Sequence, residues 1–384
     1  YNLNVYGDNG KTLTVRGVLG GSTGSLTIQE NSTVILKSSP TNQGAMTINE
    51  GVLQYEAASG VAHTNTILLG NTSGSEGAGL FINAAITVGN KITVQNGSSG
   101  VKTIGNRFSG IARYTNAITL NNGLTISNGA GGRLLLGPID FGAAQRILTI
   151  NSGHTGELTG VMANDGGNGL VVQGGGELNV GAANTIAGLY IDNGTVRYTN
   201  TAATVRGVIE VGAASASGDA RFKVTTANLA VTNQIRYRAP SGLRIVQSEN
   251  TSGIITFSGS NILDAASTVF SNAEGGVLNI SGVVVGTGLL QKVGAGDLRL
   301  SASNTLSGTT YVSNGTLNIR HGGVLGSTNA GTEISSGAQM TLQSAAATVY
   351  NAEPLWLAGT GVSGGGALQS ILSSSGTATW PGNV

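Results

Sequence analysis

Short apolar bursts separated by small polar residues run the length of this chain. "GSLTIQ" (24–29), "STVILK" (32–37), "GLVVQ" (169–173), "ARFKV" (220–224) and "GVLNISG" (276–282) are rich in β-branched residues and bounded by Gly, Asn and Ser. Such runs predict strands of four to six residues. The Ala-rich stretches "GAASASGDA" (212–220) and "QSAAATV" (343–349) carry too much Gly, Ser and Thr to hold a helix, so an all-β chain is expected.

One pattern returns repeatedly: a β-branched pair, a polar step, an Asn or Ser, a Gly, then another β-branched run. It is seen in "MTINEGVLQY" (46–55), "ITVQNG" (92–97), "LTISNG" (124–129), "YIDNGTVRY" (190–198) and "VSNGTLNI" (312–319). Asn-Gly steps supply positive φ angles where a chain turns a corner. Gly51, Gly97, Gly129, Asn193, Gly194, Asn314 and Gly315 are therefore read as corner residues. Alternation places Val312, Leu317 and Ile319 inward, with Ser313, Asn314 and Asn318 facing water or stacking at corners. Asn at such places is expected to bond to Asn one rung away.

A longer match supports the repeat. "GELNVGAANTIAG" (176–188) aligns without gaps on "GDLRLSASNTLSG" (296–308), and after a one-residue insertion both continue into an Asn-Gly corner. The clearest repeat units are 169–198 and 288–319. A unit of about 20 residues cannot bury its own apolar face, so copies must stack on one another and share a core. The expected fold is a parallel β-helix, or β-solenoid, forming one continuous domain over 1–384. Roughly 18 coils at about 4.8 Å per rung give a rod on the order of 85 Å.

Composition narrows this picture. Gly is 63 of 384 residues, charged residues are 10% and aromatics 4%, which suits a long, thin core. With no cysteine there is neither a disulfide framework nor a thiolate metal site. A formal net charge of +1 gives no reason to expect a nucleic acid as partner. No apolar run approaches a membrane span. The start "YNLNVYGDNG" has no signal-like pattern, so any export signal is expected to have been removed or to lie outside this sequence.

The segment "GTGLLQKVGAGDLRLSASNTLSGTTYVSNGTLNI" (286–319) resembles the autotransporter-associated β-strand repeat of large exported bacterial surface proteins. Gly288, Leu290, Lys292, Gly294, Gly296, Leu298, Leu300, Asn304, Thr305, Gly308, Thr310, Val312, Gly315 and Leu317 fall on that repeat. At 169–198 the match is weaker, with Val172 in place of the Lys. The resemblance implies a single-stranded, right-handed β-solenoid displayed outside a bacterial cell, often as a passenger ahead of a membrane-anchoring module.

Candidate chemistry is thin. Asp140, Asp165 and Asp192 are the carboxylates that a glycoside hydrolase or lyase on such a fold would draw on, although Asp192 occupies a position that is Ser in sister copies. His63, His154 and His321 lack acids at metal-ligand spacing and are read as surface residues. "DGGNG" (165–169) bears a faint likeness to calcium-binding nonapeptides without their tandem Asp pattern, so no cofactor is expected, with calcium as the alternative. Between Asp219 and Glu249 lie Arg221, Lys223, Arg236, Arg238 and Arg244 with no acid, either a basic stripe for an acidic glycan or neighbouring subunit, or a solvated face. Phe108, Tyr114, Trp356 and Trp380 stack on sugars or plug coil interiors. Neither terminus resembles a cap, so the chain is expected to be a piece of a longer passenger or to pair with further copies of itself. The function expected is a non-enzymatic structural element of the bacterial surface, a fibre, sheath or matrix component with an adhesive role and surface glycans as a further partner. The alternatives are a carbohydrate-active β-helix or a passive stalk.

Overall fold

The computed structural model describes the chain except for residues 1, 8–9, 21–22, 42–43, 57–64, 214–217, 239–240, 265–266, 345 and 373–375. Its contacts divide it into two units, Tyr1–Leu189 and Tyr190–Val384. Each is a β-solenoid in which three parallel sheets run side by side and one turn of the chain contributes a strand to each. The five apolar runs form the strands Leu26–Ile28, Thr33–Leu36, Leu170–Gln173, Ala220–Val224 and Val277–Ile280. Among the described residues the sole helical element is the single 3₁₀ turn Val362–Gly364.

Parallel pairing needs a long crossover between partners, and here that crossover is the rest of the coil. In the first unit, one eight-stranded sheet runs from Leu3–Val5 to Met162–Ala163. Its inner row stacks Leu26, Met46, Ile67, Ile92, Ile118, Ile139 and Met162 in register, all fully buried or nearly so. Burying each such side chain contributes about 2 kcal/mol relative to leaving it exposed. Since successive coils present the same face, every rung completes the core of its neighbours.

The second unit is built alike. One of its inner rows reads Val196, Phe222, Val246, Phe270, Lys292, Val312 and Ile334, rung upon rung. Aromatic side chains gather inside the coils. Tyr198 meets Phe222 edge to face at 4.9 Å between centroids, and Tyr237 meets Phe270 at 5.8 Å, geometries favoured by the ring quadrupole.

Many coils are longer than the sequence period suggests. Leu290 pairs with Thr310, a step that matches the period, but Ile92 pairs with Ile118 and Gly194 with Ala220, both wider steps. The extra residues enter at corners, outside the strands, so fewer coils form than a uniform short period predicts.

Candidate functional site

Two of the three aspartates considered for catalysis, Asp140 and Asp165, are engaged in holding coils. The Asp165 carboxylate accepts hydrogen bonds from the Gly167, Gly169 and Ala187 N–H groups at 3.2, 2.7 and 2.6 Å. Burial alone would raise its pKa, but those backbone donors together hold it below the usual carboxylate value. "DGGNG" is thus a corner closed by its own aspartate. Asp140 accepts from Gly142 N–H at 2.8 Å and from the Asn164 side chain one rung away at 2.9 Å. Asp192 has a raised pKa, first from burial and then from Glu210, and Glu210 is itself paired with Arg238. Among the described residues no cluster of three His, Asp or Glu is placed to hold a metal ion. His321 is exposed, whereas His154 is half-buried and its Nδ1 accepts from Asn128 N–H at 3.0 Å; His63 lies outside the described residues.

Three cations of the basic stripe are paired with acids. Arg236 pairs with Asp264 at 2.5 Å, Arg238 with Glu210 at 3.3 Å and Lys223 with Glu249 at 3.5 Å. These acids stand one coil away, which is why no acid is visible between residues 219 and 249. Arg221 is half-buried. Arg244 is wholly buried and donates to the carbonyls of Arg238, Gly218, Leu243 and Ser241 at 2.7–2.9 Å; its guanidinium serves a corner and faces no ligand.

Of the corner glycines, Gly51, Gly97, Gly194 and Gly315 take φ of +90°, +103°, +110° and +68°, while Gly129 is outside the left-handed region. Asn193 and Asn314 are both exposed, with Asn314 Oδ1 accepting from Gly315 N–H at 2.7 Å. Asn318 is not a water-facing residue: it is buried and donates to Gln343 at 2.7 Å. Inward-pointing asparagines bind the backbone of adjacent coils more than one another. Asn304 accepts from Val284 N–H at 2.8 Å and donates to the Val324 carbonyl at 2.6 Å, and Asn184 accepts from Met162 N–H at 2.8 Å.

Lys292 is the least expected member of the core. Its ammonium, fully buried, donates to the carbonyls of Val293, Gly294 and Asn314 at 2.8, 2.6 and 3.1 Å, and burial brings its pKa down to about 8. On the outside of that sheet Gln291, Tyr311, Glu333 and Trp356 stack in register. Tyr311 is hydrogen-bonded to Glu333, Trp356 is 55% exposed, and an open recess is lined by Glu333, Ile334, Ser335, Trp356, Leu357 and Ala358. Phe108 is half-buried, Tyr114 is buried with its hydroxyl on the Leu80 carbonyl at 3.0 Å, and Trp380 packs against Tyr350 at 6.1 Å.

The coil geometry of this region coincides with a known repeat. The family model of the passenger-associated-transport-repeat matches residues 290–319. Residues 290–319 thus match a passenger-type repeat. The chain is also similar to the "Adhesin BmaC autotransporter" of Brucella suis biovar 1 (strain 1330), at 38% identity over 108 residues, which are 28% of this chain and 3% of that protein. The chain thus aligns with only a small fraction of that relative's length. No solved structure matches it.

The passenger repeat's signature has a structural reason at nearly every position. Leu290, Leu298, Leu300, Val312 and Leu317 fill the coil. Lys292 and Asn304 satisfy buried backbone groups. At Gly296 and Gly308 a Cβ would lie 2.0 and 2.1 Å from the carbonyl oxygens of Ala273 and Gly288. The signature thus marks architecture and leaves the outer face free to vary. That is why the Gln291–Trp356 row escaped sequence reading: its members stand a whole coil apart and share no motif, and only the register brings them together.

Proposed function

We propose that this chain is an extracellular structural segment of a bacterial surface adhesin, a solenoid that displays binding residues on its outer faces and catalyses no reaction. The observation that carries this reading is the conversion of the repeat signature into coil architecture, with Asp140 and Asp165 engaged by backbone and neighbouring rungs. The similarity to an autotransporter adhesin points the same way. End-to-end assembly into fibres is part of the proposal, supported by the low charge of the chain, which opposes close stacking little.

The reading is tested by coating beads with the purified chain and measuring attachment to host-cell monolayers, alongside release of reducing or unsaturated sugar from a polysaccharide panel. Attachment above uncoated beads without sugar release is expected; sugar release would move the chain to the carbohydrate-active class. Electron microscopy over a concentration series tests assembly, with long fibres expected and isolated short particles at every concentration counting against it.

A further inference from the structure

On the outward face of the second unit, Tyr311, Glu333 and Trp356 occupy three successive rungs. At about 4.8 Å per rung the two rings stand roughly 10 Å apart with the carboxylate between them. Several features make this a built platform. The Trp356 six-membered ring rests on the backbone at Gly331, where a Cβ would come within 2.0 Å of the ring, so the indole is held in place and still 55% exposed. Tyr311 is hydrogen-bonded to Glu333, and the nearby negative charge together with that bond raises the phenol's pKa. Glu333 also lines the open recess beside Trp356.

Charge selects among ligands. Elsewhere acids find cations on adjacent rungs, as Glu157 does with Arg133 and Asp264 with Arg236. After Arg320 the chain contains no Lys or Arg at all, while Glu333 lines the open recess there. The carboxylate of Glu333 therefore has no cation from its own stretch of chain, and its region repels anions. An indole face and a carboxylate on a flat, open surface suit a pyranose ring: its apolar C–H face stacks on the aromatic ring and its hydroxyls or amine donate to the carboxylate. The next corner carries the small polar residues Ser335 and Ser336, exposed beside Trp356 and Leu357.

We propose that the Tyr311–Glu333–Trp356 row binds a pyranose glycan that is neutral or bears an amine, and excludes acidic glycans. This deepens the adhesive reading and rests on it. The test is calorimetry of the full chain with fully deacetylated chitotetraose (the β-1,4-linked glucosamine tetramer), cellotetraose, tetragalacturonate and choline as probes. Chitotetraose is expected to bind most tightly, cellotetraose more weakly and tetragalacturonate not at all. Trp356→Ala, a change at an exposed side chain checked by circular dichroism, is expected to weaken chitotetraose binding about tenfold or more, with Trp356→Phe recovering part of it. Glu333→Gln is expected to erase the preference for chitotetraose over cellotetraose. Absence of binding by both oligosaccharides at millimolar concentration, binding indifferent to Trp356→Ala, or binding of choline alone would each overturn the site. Attachment to cells that survives Trp356→Ala refutes the site and leaves the adhesive reading standing; chitotetraose binding by a chain that does not attach does the reverse.

Discussion

Two buried ionisable side chains set opposite pH dependences. Lys292 has a folded pKa of about 8, below its ordinary 10.5. Between those values the unfolded chain holds a proton that the folded chain has released, so stability rises with pH through this window. A gain of about 2 kcal/mol between pH 8 and 10 is expected in chemical denaturation, absent in Lys292→Met. The window closes near pH 10 because the buried Tyr55, Tyr198 and Tyr237 have pKa values raised by burial and resist the ionisation that the unfolded chain then undergoes. Glu353 behaves the other way. Burial raises its pKa to about 7, against which the Thr332 hydroxyl, donating at 2.7 Å, acts weakly. The folded chain therefore keeps a proton that the unfolded chain loses between pH 4.5 and 7, and stability falls as pH rises through that range. Glu353→Gln is expected to match the parent near pH 4 and to exceed it by about 2 kcal/mol at pH 8, measured as denaturation midpoints.

At the scale of strands and corners, the coil is held by a division of labour between apolar rows and side chains that serve the backbone. Asn304 satisfies one N–H of the coil before it and one carbonyl of the coil after it. Asn304→Ala leaves both buried groups without partners and is expected to cost about 2–4 kcal/mol, read from thermal or chemical unfolding. Gly97 illustrates the complementary constraint, since its φ is +103° and a Cβ would lie 2.0 Å from the Thr72 carbonyl oxygen. Strands and most Asn-Gly corners are legible in sequence because β-branched runs and positive φ leave compositional marks. The interior placement of Lys292 and Arg244 is not, because a cation within a strand resembles a solvated one until the carbonyls converging on it are known. The ion pairs of Arg236 with Asp264 and of Arg238 with Glu210 were hidden for a related reason: each joins residues 28 positions apart, a whole coil, so the partners are neighbours only once the coil register is known.

At the scale of the molecule, both units share a logic in which each coil depends on its neighbours, so function is written on the outside of a core that cannot vary freely. The passenger repeat at 290–319 fixes the inside of the second unit, and the residues between its signature positions, Gln291 and Tyr311 among them, are available for recognition. Winding that sets residues of adjacent coils side by side underlies every site described above, and it can be tested directly because the chain has no cysteine. Thr125 is in register with Thr149, and Thr149 with Gln173. One rung, about 4.8 Å, is within disulfide reach, whereas two rungs are not. Mild oxidation should therefore cross-link Thr125→Cys with Thr149→Cys in monomeric chain, seen as a mobility shift reversed by reductant, and leave Thr125→Cys with Gln173→Cys open. Cross-linking of the second pair in preference to the first would contradict the coil register and, with it, the outward row proposed to bind glycans.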